Sequence, residues 1–287
     1  MARSRRGLQA KEMIRRDRRK ALIIAGSVGG IIAVLGVAVV ILSPDPIDPE
    51  TGCPQGNRAP PAHTVILIDE TDQLSRGELT YARDLIRTEY AWLPPGGRLT
   101  VRNIMASPDE DHEVNICRMR DASSALGIMV NPAALQRTFE RLAGAQLDEL
   151  LDGLEHAEPQ PASPILEAVA ATADRADFGR GIENRRLVIH SDLAQHSDLV
   201  SHYSGDGYEM GEEATDVLWR DMRGIHVRLH YIPRRSLSSI QGRRHQAFWT
   251  QWFEDMDVAD VEIGHDLLIG EEPDRPIIVS DPQGARH

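Results

Sequence analysis

A run of 22 residues without a charge, Ala21 to Leu42 (ALIIAGSVGGIIAVLGVAVVIL), constrains this chain more than any other feature. As a helix it is about 33 Å long, enough to cross a hydrocarbon core of about 30 Å. A helix on a soluble domain keeps one polar face, and this run has none. It predicts a single transmembrane helix, with a short tail on one side of a membrane and the rest of the chain on the other. Residues 1–20 carry nine Arg and Lys side chains against Glu12 and Asp17, a net of +7. Such a cluster stays cytoplasmic. The whole chain stands at −12, so residues 21–287 hold −19, and that acidic part is expected outside the cytoplasm. A cleaved signal peptide would have an apolar core of about 7–15 residues and a small-x-small cleavage site. This run is longer and leads into Ser43-Pro44-Asp45-Pro46. The basic tail is read as a topology signal touching anionic headgroups, not as a nucleic-acid-binding arm. Gly26 and Gly30 form a GxxxG, a candidate face for a homodimer in the bilayer.

Residues 43–62 contain six prolines and two glycines without an apolar period, which predicts an extended linker. The linker holds Cys53, and the only other cysteine is Cys117. Two cysteines on the oxidising side of a membrane suggest one disulfide, tying the linker to the folded domain; two unpaired thiols are the other reading.

Residues 63–266 suit one α/β domain, with residues 267–287 as a C-terminal tail. Thr64–Asp69 is a short β-branched run, read as a buried strand. Arg76–Trp92 has helical spacing and ends at Pro94-Pro95-Gly96-Gly97. Leu99–Met105 and Glu113–Cys117 read as strands, and Asn131-Pro132 opens a long helix. Ser163-Pro164 opens another, with Ser163 as its expected N-cap. Strands at Arg186–His190 and His226–Ile232 alternate with helices at Glu212–Met222 and Arg243–Met256, and Val261–Gly264 reads as an edge strand. Alternation of apolar strands with helices predicts a mostly parallel central sheet covered on both faces.

In open parallel sheets, sites form beyond the carboxyl ends of the strands. Two inner strands end alike here. The first leads out through Asp69, Glu70, Thr71, Asp72 and Ser75, the fourth through Ser191 and Asp192. Acids and hydroxyls at neighbouring strand ends suit a hard cation, since Mg²⁺ takes oxygen ligands at about 2.0–2.1 Å. Asp69 and Asp192 are the candidate carboxylates, and Thr71 and Ser163 the candidate neutral oxygens.

On these loops the chain resembles the von Willebrand factor A domain family. That family's first motif, Asp-x-Ser-x-Ser after strand one, is represented by Asp69-Glu70-Thr71-Asp72-Gln73. Asp69 matches, Thr71 replaces the first serine, and Gln73 departs from the second; Ser75 lies two residues on. Ser163 in PASPILEAV stands for the family's loop threonine, and Asp192 in VIHSDLAQ for its last aspartate. The resemblance implies an α/β fold with a metal-ion-dependent adhesion site of Asp69, Thr71, Ser163 and Asp192, with Ser75 a further candidate. It also implies Mg²⁺ or another divalent cation as cofactor, and binding rather than catalysis. Glu70, Asp72 and Ser191 are then the expected partner contacts. The expected function is a membrane-anchored adaptor or assembly factor in a bacterial envelope complex, at the cytoplasmic membrane with its domain periplasmic. The partner is another envelope or membrane protein.

Two enzyme signals compete. A haloacid-dehalogenase-like hydrolase carries Asp-x-Asp after strand one, but here Thr71 holds the third position and Asp72 falls one place late. The alternative function is thus a tethered metal-dependent phosphoryl or ester hydrolase using Asp69 and Asp192. A zinc site is not supported, because there is no HExxH. His226 and His230, on one face of a strand, stand about 13 Å apart. The stripe Phe248, Trp249, Trp252, Phe253 and Met256 reads as core, and Ser197–Gly211 as a long loop available to a partner.

Overall fold

A run of eight buried residues, Ala62–Asp69, forms the strand on which the domain is organised. The computed structural model describes residues 30, 34–36, 46–56, 58–69, 71, 73–106, 113–119, 132–156, 160–204 and 208–264. The chain divides into two units, Met1–Pro46 and Ile47–His287. Of the first, residues 30 and 34–36 are helical and exposed. Gly26, the basic tail and most of Ala21–Leu42 lie outside the described residues, as does the tail 267–287. Among the described residues no helix is long and apolar enough to cross a membrane.

The second unit runs β1 (Ala62–Asp69), α1 (Arg76–Trp92), β2 (Arg98–Ile104), β3 (Glu113–Cys117), α2 (Pro132–His156), α3 (Ile165–Ala173), β4 (Asn184–Ser191), α4 (Glu212–Leu218), β5 (Ile225–Tyr231), α5 (Arg243–Asp255) and β6 (Asp260–Gly264). The strands form one sheet in the order β3-β2-β1-β4-β5-β6. All pairings are parallel except β2 with β3. This is the expected α/β class with a mostly parallel sheet.

Alternation along β1 sorts its side chains between two cores. Val65 and Leu67 join Leu187, Ile189, Val227 and Leu229 under α3, α4 and α5. Ile66 and Ile68 join Leu99, Val101 and Val188 under α1 and α2. Burial on both faces explains why β1 reads as a continuous apolar run. The Phe248–Met256 stripe is core throughout, with all five side chains buried.

Three details depart from the sequence reading. The helix begun at Glu212 ends at Leu218 instead of reaching Met222. Trp219 turns out in an extended conformation, its indole donating to the Asp255 carbonyl at 2.9 Å. Met222 can then enter the core, fully buried. Ser163 is not the N-cap of α3; Pro164 holds that position, without a side-chain cap. Gln195 does the capping from across the site, its Oε1 accepting from the Leu166 amide at 2.9 Å. Finally, the middle of the linker, residues 47–54, is folded. Ile47 bridges to Pro54, and the Cys117 amide donates to the Thr51 carbonyl at 2.8 Å. Cys53 and Cys117 are bonded, closing a separation of 64 residues. Gly52, just before Cys53, has φ +70, and a Cβ there would fall 2.9 Å from Leu142 Cδ1. No side chain fits that turn without displacing the α2 packing.

Candidate functional site

The order of strands reverses between β1 and β4, and ligands in open α/β sheets bind at such a switch point. Asp69 closes β1 and Ser191 closes β4. The Ser191 hydroxyl donates to Asp69 Oδ2 at 2.5 Å, stitching the two strand ends together. Ser163 Oγ reaches the same oxygen at 3.4 Å. Its main chain is held by a two-way bridge to His196, at 2.8 and 2.9 Å. With Gln195 serving the helix end, the Ser163 hydroxyl is left to the site. On the other oxygen, Asp69 Oδ1 accepts from the Thr71 amide at 3.0 Å and the Thr71 hydroxyl at 2.6 Å. All four residues are buried.

Asp192 follows on the β4 side, also buried. Its Oδ1 accepts from the Ala194 amide at 2.9 Å, which turns the chain at Leu193 into the left-handed region, φ 61. A buried leucine in that conformation is strained and needs outside support. The support comes from α5: Trp249 Nε1 and His245 Nε2 both approach the Leu193 carbonyl, at 3.0 and 2.8 Å. Leu193 N in turn donates to Ser191 Oγ at 2.8 Å. The site loop is therefore pinned from below by the aromatic core.

A guanidinium faces the second Asp192 oxygen. Arg234, in the loop after β5, lies with Nε 3.7 Å from Asp192 Oδ2 and Nη1 3.2 Å from Glu78 Oε1. Glu78 is buried at the start of α1 and also accepts from the Ser75 amide at 2.6 Å. Among the described residues the edge thus carries three buried carboxylates (Asp69, Glu78, Asp192) against one guanidinium, a formal excess of two negative charges.

The candidates sort as follows. Asp69, Thr71, Ser163 and Ser191 share one hydrogen-bonded cluster, and Asp192 continues it along β4. Ser75 is engaged elsewhere: its hydroxyl accepts from the Glu78 amide at 3.3 Å, one half of a capping box. Gln73, which stands where the resembled motif has its second serine, turns to α2 and donates to the Glu155 carbonyl at 2.8 Å. Glu70 and Asp72 lie outside the described residues. Sequence reasoning missed Glu78, Arg234 and Gln241. Glu78 was within reach as the third residue after a serine cap. Nothing local marks Arg234 or Gln241.

The donor set is all oxygen, from carboxylates and hydroxyls, which suits Mg²⁺, Ca²⁺ or Mn²⁺ more than zinc. A hydroxyl that donates to Asp69 can turn a lone pair to a cation by rotating one bond. The two surplus charges match a divalent ion, so the residues fit the group the resemblance implies. Among the described residues no three or more His, Cys, Asp or Glu side chains converge as a metal site.

Two histidine pairs form that sequence spacing could not show: His190 and His230 are neighbours across β4 and β5 against Tyr81, and His202 meets His245. His245 Nε2 meets His202 Nδ1 at 3.1 Å, and the Tyr231 hydroxyl lies 2.7 Å from His245 Nδ1. Because the Leu193 carbonyl only accepts, Nε2 of His245 carries the proton, and Tyr231 donates to Nδ1. Burial, then the neighbouring His245, lowers His202 to about 3. Burial also lowers His245, against the raising effect of the Leu193 carbonyl. Tyr231 is pushed up by burial and then by the Asp192 charge. All three are uncharged at neutral pH, so this pocket props the site without adding charge to it.

No family model matches this chain, and no curated protein does. Among solved structures, the chain is similar to an aerotolerance-related membrane protein from Bacteroides fragilis carrying multiple mutations to serines. The two are 13% identical, the match covers 72% of this chain and 92% of that one, and the TM-score is 0.35.

Proposed function

We propose that this chain is a membrane-anchored, extracytoplasmic interaction module of the von Willebrand A type. It acts as an adaptor or assembly factor in a bacterial envelope complex, binding a partner through a divalent cation at Asp69, Thr71, Ser163 and Asp192. The observation that carries this reading is the convergence of Thr71, Ser163 and Ser191 on Asp69 at the switch point, beside an excess of two negative charges. A cation there would leave a coordination position for a partner's carboxylate, which the acidic domain would otherwise repel. The hydrolase alternative takes Asp69 as nucleophile, and Thr71 stands where that motif has its second aspartate. The apolar run Ala21–Leu42 anchors the module, so its partner lies in or near the same membrane.

The test is capture of co-purifying envelope proteins from detergent-solubilised membranes, with and without chelator. Capture should fall at least tenfold in chelator and in Asp69→Ala or Asp192→Ala, while the circular dichroism of these variants matches the parent. Undiminished capture under both treatments would sink the cation-dependent reading. Turnover of a phosphorylated or esterified substrate, lost in the same variants, would favour the hydrolase instead.

A further inference from the structure

Arg234 is an unusual neighbour for a cation site. The residue comes from the loop after β5, yet it reaches both the carboxylate that ends the β4 loop and the one that opens α1. Its position is fixed by a third loop contact. Gln241 Oε1 accepts from the Arg234 amide at 2.7 Å, while Gln241 Nε2 donates to the Asp192 carbonyl at 3.0 Å and the Ile232 carbonyl at 2.8 Å. A single glutamine thus staples residues 232–241 onto the main chain of Asp192. The guanidinium is four-fifths buried, so solvent screens its charge little.

We infer that Arg234 is a tethered cation of this edge: it holds the Asp192 and Glu78 carboxylates and competes with a divalent ion for them. This inference rests on the reading of the edge as a cation site. It adds that loading the site is opposed from within the chain, and that release of the 232–241 loop favours loading. The physics is one of sign. A fixed positive charge 3.7 Å from Asp192 Oδ2 lowers the affinity for any second cation there. Removing the charge, or loosening the staple that presents it, raises cation affinity. The same arrangement keeps three buried acids tolerable when the divalent ion is away.

The experiment is Mn²⁺ titration of the full-length chain in nanodiscs, followed by the loss of free-ion paramagnetic signal. Four variants are compared with the parent: Arg234→Gln, Arg234→Lys, Gln241→Ala and Asp69→Asn. We expect Arg234→Gln to bind Mn²⁺ at least tenfold more tightly and Gln241→Ala a few-fold more tightly. Arg234→Lys should stay close to the parent, and Asp69→Asn should lose binding. Gln241→Ala keeps every charge in place, so it decides the matter if Arg234→Gln folds poorly. Equal affinity in the parent, Arg234→Gln and Gln241→Ala, with loss in Asp69→Asn, would overturn the competition while leaving the cation site standing. No Mn²⁺ binding by any of them at millimolar concentration would overturn both.

Discussion

Two polar networks sit at this sheet, one half-buried and one buried, and they treat charge in opposite ways. The first lies on the α3 face of β1, β2 and β3, around Arg175. There each carboxylate has guanidinium partners: Glu113 takes Arg175 at 2.6 Å and Arg102 at 3.3 Å, and Asp177 takes Arg175 at 2.8 Å and Arg98 at 3.1 Å. Burial pushes both acids up, but the hydrogen bonds and charge of Arg175 outweigh it and hold them below the usual carboxylate range. His63 completes the network, touching the Asp177 carbonyl at 2.9 Å and the Thr100 hydroxyl at 2.8 Å. The second network is the carboxyl edge. Asp69 has hydroxyls and an amide but no cationic partner among the described residues. Arg234 reaches both Asp192 and Glu78. A network with every charge answered is built to stay closed. One with three described carboxylates around a single described guanidinium is stable only at a cost, and such a cost is commonly found where a ligand completes the set.

That contrast can be broken by experiment. The disulfide fastens the β3 side, so Cys53→Ser with Cys117→Ser should lower stability by about 4 kcal/mol in urea unfolding. Partner capture by the surviving folded protein should be unchanged. Arg175→Met leaves Glu113 to Arg102 and Asp177 to Arg98, and the lost charge-assisted hydrogen bonds should cost about 2 kcal/mol, again without touching capture. Asp69→Asn should do the reverse, changing stability by less than about 1 kcal/mol while abolishing capture. Equal destabilisation by Arg175→Met and Asp69→Asn would erase the distinction between the two networks.

Acid should act next, through the buried histidines of each region. Burial lowers His63 to about 4, and His202 behind the site lies at about 3. Unfolded, both titrate near about 6.5, so the unfolded chain binds more protons in the window between. Their neutral burial thus favours the fold fully above that value, and stability falls as pH drops below it. By pH 5 each should cost about 2 kcal/mol, read as a drop in melting temperature between pH 7 and pH 5. His63→Gln and His202→Gln should each flatten that slope. The lowered acids Glu113 and Asp177 keep their contribution until the pH passes below the usual carboxylate range, so they do not account for loss in this window. The smallest effect belongs to Ser75→Ala, about 1 kcal/mol for a lost helix cap. It should leave Mn²⁺ affinity unaltered, and a tenfold loss would restore Ser75 as a ligand.

Much of the fold was legible in the chain because the signals were local. Strand and helix periods placed β1, α1, β2, β3, β4, β5 and α5 to within a few residues. Two cysteines admit only one intramolecular pairing, and the structure makes it. Local signals also misled. Ser163 next to Pro164 has the pattern of a cap, yet Gln195, 29 residues from the amide it serves, takes that role. The Pro-rich segment reads as a free linker, but the Cys117 main chain gives Thr51 in its middle something to pair with.

The site divides in the same way. By itself the sequence determined that acids and hydroxyls stand just past two apolar strands, because those residues lie next to the runs that define the strands. It equally determined the apolar Ala21–Leu42 and the charge asymmetry around it, which depend on composition alone. Only the tertiary structure decided that β1 and β4 are neighbours, and so that Ser191 and Asp69 share a proton at 2.5 Å. Only it brought Glu78, Asp192 and Arg234 together from the first turn of α1 and two separate loops. The physical reason is range. Patterning acts between residues two to four apart, whereas the charge at this edge is set by side chains up to 156 residues apart, which meet only when the sheet is assembled.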